Sequence, residues 1–292
     1  MISFRQHVVT LVAVFLALAV GVVLGGGPLS EVGRDALTST SARTTDRPVD
    51  DKSAFGDAFA TAAAAQLYDE QLAGRSVAVV SLPGADQRVV EGVVAQIEHA
   101  AGSVEGKYAV QPALVDAGEK SLVDTLGSQL MTQLDSDIVD AGAPTYERMG
   151  QLFGAAIATP QEDGRGADQD AVSIRQSLAG ADLVVGPESE PGRAPLVVVV
   201  LGDGVDKNIL TGLLAGLASQ AQGVVAAGDT RSGQNGDVAA LRKQPETAKV
   251  ATVDGVELAV GQVTTVLALV RSLDEKGGSF GASGSDGAAP LR

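Results

Sequence analysis

The 292-residue sequence contains no cysteine and no tryptophan, and it has only two histidines, three methionines and nine aromatic residues. A chain without cysteine cannot form a disulfide framework, a thiolate nucleophile, an iron–sulfur cluster or a zinc finger. With so few histidines, few residues are able to serve as a general base or as a soft metal ligand. These absences exclude several classes of enzyme and metalloprotein before any motif is considered.

Positive charge is scarce as well, since 36 acidic residues face 21 lysines and arginines and give a formal net charge of −15. A chain this acidic repels the phosphate backbone of DNA and RNA, so nucleic-acid binding is excluded as a main function. The hydrophobic fraction of 45% is large enough for a folded core and excludes a wholly disordered chain.

One long uncharged run lies near the N-terminus, where residues 8–27 read VVTLVAVFLALAVGVVLGGG. Twenty such residues in a helix span about 30 Å, the thickness of the hydrocarbon core of a bilayer. A cleaved signal peptide is the alternative, because Arg5 precedes the run and residues 17–19 resemble a cleavage site. We favour an uncleaved signal anchor: a short tail (residues 1–7), one transmembrane helix that contacts the lipid bilayer, and the bulk of the chain outside the cytoplasm.

Residues 28–50 are rich in Ser, Thr, Asp and Arg and predict a flexible stalk. At the other end, residues 277–292 read GGSFGASGSDGAAPLR and predict a disordered Gly/Ser tail. The α/β globular domain is therefore expected to occupy residues 51–276, with two candidate subdomains at 51–190 and 191–276.

The domain begins with an amphipathic helix behind Asp50 and Asp51. Its apolar side chains recur at helical spacing: Phe55, Phe59, Ala62, Ala63 and Leu67. This stripe either covers the globular domain or pairs with another copy, and we expect it to cover the domain.

Two segments combine an apolar strand, a turn and an amphipathic helix. Residues 76–104 and 196–224 align without a gap at a constant offset of 120 residues, so that Asp86 falls on Asp206. Either an internal duplication or the general pattern of βα units explains this similarity. Continuous apolar strands are typical of strands buried on both faces, so the sequence predicts a largely parallel, helix-covered sheet built from βα units. Further helices are expected at 120–134, 146–158, 171–178 and 261–273, and further strands at 182–186, 223–227 and 249–253.

Ligands of open parallel sheets bind at the carboxyl ends of the strands, which places residues 82–86 and 202–206 first among candidate site loops. Neither loop matches a nucleotide-binding glycine motif. Asp203 and Asp206 are able to present carboxylates to a hard cation, with Asp229 nearby, but Asp86 and Asp206 are equally placed to cap the helices that follow. We favour the capping role.

Catalytic constellations are not evident. There is no G-x-S-x-G motif, and a Ser-His-Asp triad would have to use His99. The acidic pairs Glu188/Glu190 and Glu162/Asp163 are typical of solvated loops. We therefore predict a protein that is not an enzyme and assign no catalytic, cofactor-binding or metal-binding residue and no cofactor.

Several segments resemble the MctB family of envelope proteins. They are residues 1–25, residues 72–85 (LAGRSVAVVSLPGA), residues 250–273 (VATVDGVELAVGQVTTVLALVRSL) and the Gly-aromatic-Gly pattern at 277–281. The resemblance covers nearly the full chain. It implies a role in copper transport and copper homeostasis. A related branch, the SteB proteins, implies instead a septal complex with a SteA partner and control of peptidoglycan hydrolysis.

The residues themselves offer little to copper, which prefers Cys, Met or His ligands. His7 lies at the membrane flank, His99 lies on a predicted helix surface, and Met131 and Met149 lie in apolar helical patterns. The combined expectation is a membrane-anchored, non-catalytic envelope protein of the MctB type that is associated with copper homeostasis or efflux. The alternative is a SteB-like scaffold. Either role implies a protein partner in the envelope, and a homo-oligomer is compatible with both.

Overall fold

The computed structural model describes residues 51–134, 138–140, 142–202 and 204–291. The predicted tail (1–7), transmembrane helix (8–27) and stalk (28–50) lie outside these residues. Within the described part of the chain, no helix is both long and apolar enough to cross a membrane.

The helices and strands alternate along most of the described chain. The helices are α1 (Asp51–Tyr68), α2 (Gln87–His99), α3 (Pro112–Val115), α4 (Lys120–Gln133), α5 (Thr145–Ile157), α6 (Gln169–Gly180), α7 (Lys207–Gln220), α8 (Thr230–Asn235), α9 (Asp237–Leu241) and α10 (Ala259–Arg271). The strands are β1 (Ser76–Ser81), β2 (Ser103–Val110), β3 (Val184–Val185), β4 (Leu196–Val200), β5 (Gly223–Gly228), β6 (Val250–Asp254) and β7 (Ser279–Gly281).

The seven strands form one sheet in the order β3-β2-β1-β4-β5-β6-β7. Every neighbouring pair is parallel except β2 and β3, which pair antiparallel at the edge. All residues of β4, β5 and β6 are buried, as expected for strands that are covered on both faces. The prediction of a largely parallel, helix-covered α/β sheet is confirmed.

Alternate residues of the strands feed two apolar cores on opposite faces of the sheet, because successive side chains of a strand point in opposite directions. Ala78 and Val80 face a core that includes side chains of α5, α6 and α7. Val77 and Val79 face a second core that includes side chains of α1, α2 and α10. The fold therefore has three layers, with the sheet in the middle.

The two similar βα units of the sequence lie side by side, because β1 pairs directly with β4. Their helices pack on opposite faces, α2 in the second core and α7 in the first. The candidate division into subdomains 51–190 and 191–276 is not found, since residues 55–292 form one compact unit and the sheet runs through it.

The expectation that the apolar stripe of α1 covers the domain is wrong. Phe55 and Phe59 are 74% and 66% exposed, whereas Ala60, Ala64 and Tyr68 are buried against the second core. The small alanine side chains face the second core, and the larger rings are left on the outer side.

The expectation of a disordered tail at 277–292 is also wrong, because residues 279–281 form β7 and pair with β6. Phe280 is only 3% exposed and belongs to the second core. One long-range and one local contact hold the segment: Ser283 N–H donates to Asp254 of β6, and within the segment Gly281 N–H donates to the Ala288 carbonyl. The composition of the segment conceals these contacts.

Candidate functional site

The carboxyl ends of β1, β4, β5 and β6 meet at one edge of the sheet, and the strand order changes direction between β1 and β4. In open α/β sheets this is the place where ligands bind. A Cβ atom on Gly202 would lie 1.8 Å from the carbonyl oxygen of Pro83, so the backbones after β1 and β4 touch there. What remains open is a cavity of about 160 Å³ that Asp86, Asp229 and Glu257 help to line.

The helices that follow β1, β4 and β5 are capped at their N-termini by the chain's own carboxylates. Asp86 accepts from the N–H of Arg88 (2.9 Å), Asp206 from the N–H of Asn208 (2.8 Å), and Asp229 from the N–H of Ser232 (2.6 Å). These are donors that an anionic ligand would need. The predicted capping roles of Asp86 and Asp206 are confirmed, and Asp203 lies outside the described residues.

Glu257 adds a further carboxylate, which accepts from the backbone N–H (3.1 Å) and the hydroxyl (2.6 Å) of Thr230. A side-chain hydrogen bond from Arg88 holds the pKa of Asp86 below its ordinary value, which keeps that cap ionised. The Asp229 and Glu257 carboxylates at this cavity disfavour a phosphate ligand. Among the residues that the structure describes, no three His, Cys, Asp or Glu side chains are grouped as metal ligands.

The copper-ligand types named from the sequence are dispersed. His99 is exposed at the end of α2, Met131 is half-buried on α4, and Met149 is fully buried on α5. The Met149 methyl group lies near Gly127, which is a core contact. His7 lies outside the described residues.

The two acidic pairs that the sequence offered lie in separate loops. Glu162 lies 3.0 Å and Asp163 lies 3.8 Å from the guanidinium of Arg75. Glu188 and Glu190 belong to a loop that borders a separate cavity of about 210 Å³.

That second cavity lies beside Tyr108, whose ring meets Phe153 edge-on at 6.0 Å between centroids. The Tyr108 hydroxyl is buried and has no hydrogen-bond partner among the described residues. Burial raises the pKa of Tyr108. The guanidinium of Arg175 lies 6.0 Å from the ring and donates to the carbonyls of Ala156, Pro191 and Gly192. Arg175 thus fastens the loop of residues 186–192 to α5.

A buried ion pair joins α9 to the end of the sheet. The carboxylate of Asp254 is fully buried at the end of β6, 2.7 Å from the Arg242 guanidinium. Arg242 also donates to the Phe280 carbonyl (2.7 Å) and the Ser283 hydroxyl (2.9 Å). This cluster holds the C-terminal segment on the sheet.

Neither this cluster nor the surroundings of Tyr108 were predicted from the sequence. For Asp254 a signal existed, since an acidic residue ends an otherwise apolar strand. The sequence carried no such signal for Arg242 and Arg175, because their partners are backbone carbonyls or residues distant along the chain.

Comparison with known proteins gives one family. A family model described as "Copper transport outer membrane protein, MctB" matches residues 1–291. A protein named copper transporter MctB from Mycobacterium tuberculosis (strain ATCC 25618 / H37Rv) is 28% identical over 292 residues, and the match covers 92% of each chain. A protein of the same name from Mycobacterium leprae (strain TN) is 29% identical over 294 residues, again with 92% of each chain covered.

Proposed function

Because this chain belongs to the MctB family, we propose that it serves copper homeostasis as a membrane-anchored envelope protein. In this proposal residues 8–27 fix the chain to the bilayer, and the α/β body lies outside the cytoplasm. The body neither catalyses a reaction nor holds copper tightly. It acts through contacts with a protein partner in the envelope.

The observation that carries the proposal is the state of the crevice at the carboxyl ends of the strands. Asp86, Asp206 and Asp229 occupy the helix N-terminal donors there, and Gly202 brings two backbones into contact. A crevice filled in this way has little room or charge for a nucleotide or an anionic substrate.

The dispersed copper ligands support the same proposal. High-affinity Cu(I) sites need two or more soft ligands within bonding distance of one point. His99, Met131 and Met149 lie on three different helices, and Met149 is enclosed in the core. An influence on copper without such a site requires action on another component of the envelope.

A deletion strain tests the proposal. We expect loss of the chain to lower copper tolerance and raise cell-associated copper, and we expect the wild-type chain and His99→Ala to restore both equally. Unchanged copper tolerance and copper content in the deletion strain would contradict the proposal. Failure of His99→Ala to complement would contradict the claim that no described side chain binds copper tightly.

A SteB-like scaffold at the division septum is the second candidate. Both candidates act through a protein partner, so the exposed rings of Phe55 and Phe59 fit either one. In the same deletion strain, chained cells or fragile envelopes at normal copper tolerance would favour this candidate over the first.

A further inference from the structure

An open groove of about 890 Å³ lies between the end of α1, the end of α10 and residues 286–291. Its floor is apolar and consists of the buried side chains of Leu267, Val270 and Phe280. Its walls are more exposed, since Leu67 is 36% and Leu291 is 65% accessible to solvent. A site for a small molecule encloses most of its ligand, whereas an open apolar groove receives side chains from a segment of another protein.

Negative charge exceeds positive charge around this groove. Three of its lining residues carry exposed carboxylates: Asp274, Glu275 and Asp286. Among the described residues that line it, the one cation is Arg271. The Arg271 guanidinium lies 2.7 Å from Glu275 and 5.4 Å from the ring centroid of Phe280, so this cation is engaged within the groove. The other two carboxylates leave the rim with a net negative charge.

The charge and the apolar floor together select the occupant. A second copy of this chain carries the same net charge of −15 and is repelled, as are anionic headgroups and nucleic acids. A neutral apolar segment fits the floor, but it covers the carboxylates of Asp274 and Asp286 without a counter-charge, which costs free energy. A segment that carries apolar side chains together with Lys or Arg meets both requirements.

We infer that this groove binds a basic segment of a partner protein. Its apolar side chains pack on Leu67 and Leu267, and its Lys or Arg residues lie beside Asp274 and Asp286. The inference rests on the proposed function, because the partner is the envelope protein through which this chain acts there. It adds the place of the contact and the charge of the partner. Binding should weaken as salt is raised, because the carboxylates are exposed.

Peptide binding to the full chain tests the inference. The chain is placed in nanodiscs of neutral lipid, the probe is a fluorescently labelled amphipathic peptide of Leu and Lys, and empty nanodiscs provide the blank. We expect the anisotropy of the label to rise on binding and the affinity to fall with salt. The same peptide with Glu in place of each Lys should not bind. Absence of binding by the Leu/Lys peptide, or equal binding of the two peptides, would overturn the inference.

One pair of variants tests the apolar wall. Leu67→Arg should weaken binding of the Leu/Lys peptide about tenfold or more, because it removes an apolar contact and adds a cation. The matched control is Leu122→Arg on α4, which changes a side chain of similar exposure (40%) outside the groove and should bind as the wild type does. Circular dichroism should show the wild-type fold for both variants.

A second pair of variants tests the rim and changes only one carboxylate each. Asp274→Asn should weaken the Leu/Lys peptide about two- to fivefold. Asp163→Asn, at a fully exposed position outside the groove, should leave binding unchanged. Equal effects within both pairs would overturn the inference, because the general acidity of the chain would then hold the peptide. If no peptide binds while the chain still restores copper tolerance in the deletion strain, the inference falls and the proposed function stands.

Discussion

The guanidinium of Arg242 lies 2.7 Å from the buried carboxylate of Asp254, and the same guanidinium reaches the carbonyl of Phe280. One ion pair thereby connects three separate segments: α9, the end of β6 and the final strand. The C-terminal segment owes its place in the sheet to this connection.

Replacing Arg242 should therefore be costly. Arg242→Met leaves the Asp254 carboxylate buried without its partner, for which we expect a loss of about 3–5 kcal/mol in the free energy of unfolding. Urea denaturation measures the loss, and limited proteolysis should cut first near residues 282–287. The matched control is Arg88→Met, which removes an exposed ion pair with Asp86 and should cost at most about 1 kcal/mol. Equal losses for the two variants would show that the buried pair has no special role.

Phe280 should behave as a core residue although it lies in a Gly/Ser-rich tail. Phe280→Ala removes a side chain that is 97% buried, and the expected loss of stability is about 3–5 kcal/mol. Leu291→Ala serves as the control, because Leu291 is 65% exposed and should change stability by less than about 0.5 kcal/mol. Thermal unfolding followed by circular dichroism distinguishes the two, and an unaffected Phe280→Ala variant would mean that the tail does not belong to the folded body.

These two cases show what the sequence could and could not predict. Strands β1, β4, β5 and β6 were predictable because continuous apolar runs mark strands buried on both faces. Strand β2 was missed because SVEGKYAV mixes charged residues and glycine into a strand close to the sheet edge. Strand β7 was missed because three residues in a small-residue segment have no propensity of their own, and their order comes from Arg242 and Asp254.

The face of α1 was assigned wrongly for a related reason. The large rings of Phe55 and Phe59 dominated the hydrophobic pattern, whereas packing against the body selected the small side chains of Ala60 and Ala64. The predictions for the crevice at the carboxyl ends of the strands were more accurate. The spacing of Asp86 and Asp206 from their strands correctly indicated helix caps, because capping depends only on local chain geometry.

Tyr68 makes the stability of the folded body depend on pH in the alkaline range. Burial raises the pKa of Tyr68 from 10.0 to about 12. Below pH 10 the side chain is neutral in both the folded and the unfolded chain, and between pH 10 and about 12 only the unfolded chain ionises. Stability should therefore fall across this interval, because only the unfolded chain releases the Tyr68 proton there.

The Tyr68→Phe variant isolates that contribution, because it keeps the packing and removes the ionisable hydroxyl. We expect the difference in free energy of unfolding between wild type and Tyr68→Phe to be constant up to pH 10 and then to shift in favour of the variant. Parallel stability curves from pH 8 to 12 would argue against a buried Tyr68.

Gly202 allows the backbone after β4 to contact the backbone after β1, which closes part of the crevice. A Cβ atom at this position would collide with the Pro83 carbonyl, so Gly202→Ala must push the chain segments after β1 and β4 apart. We expect a loss of several kcal/mol or a failure to fold, whereas Gly166→Ala, whose Cβ meets nothing within 4 Å, should have a stability close to the wild type. A Gly202→Ala variant as stable as the control would show that the crevice is more open than described.

The claim that the body holds no tight copper site is tested most directly by a Cu(I) competition titration of the full-length chain in detergent, against a chromophoric chelator of known affinity. We expect the chain to withdraw no stoichiometric copper from the chelator and His99→Ala to give the same curve. Removal of one equivalent of Cu(I) by the wild type, and its loss in His99→Ala, would mean that the body holds a tight copper site.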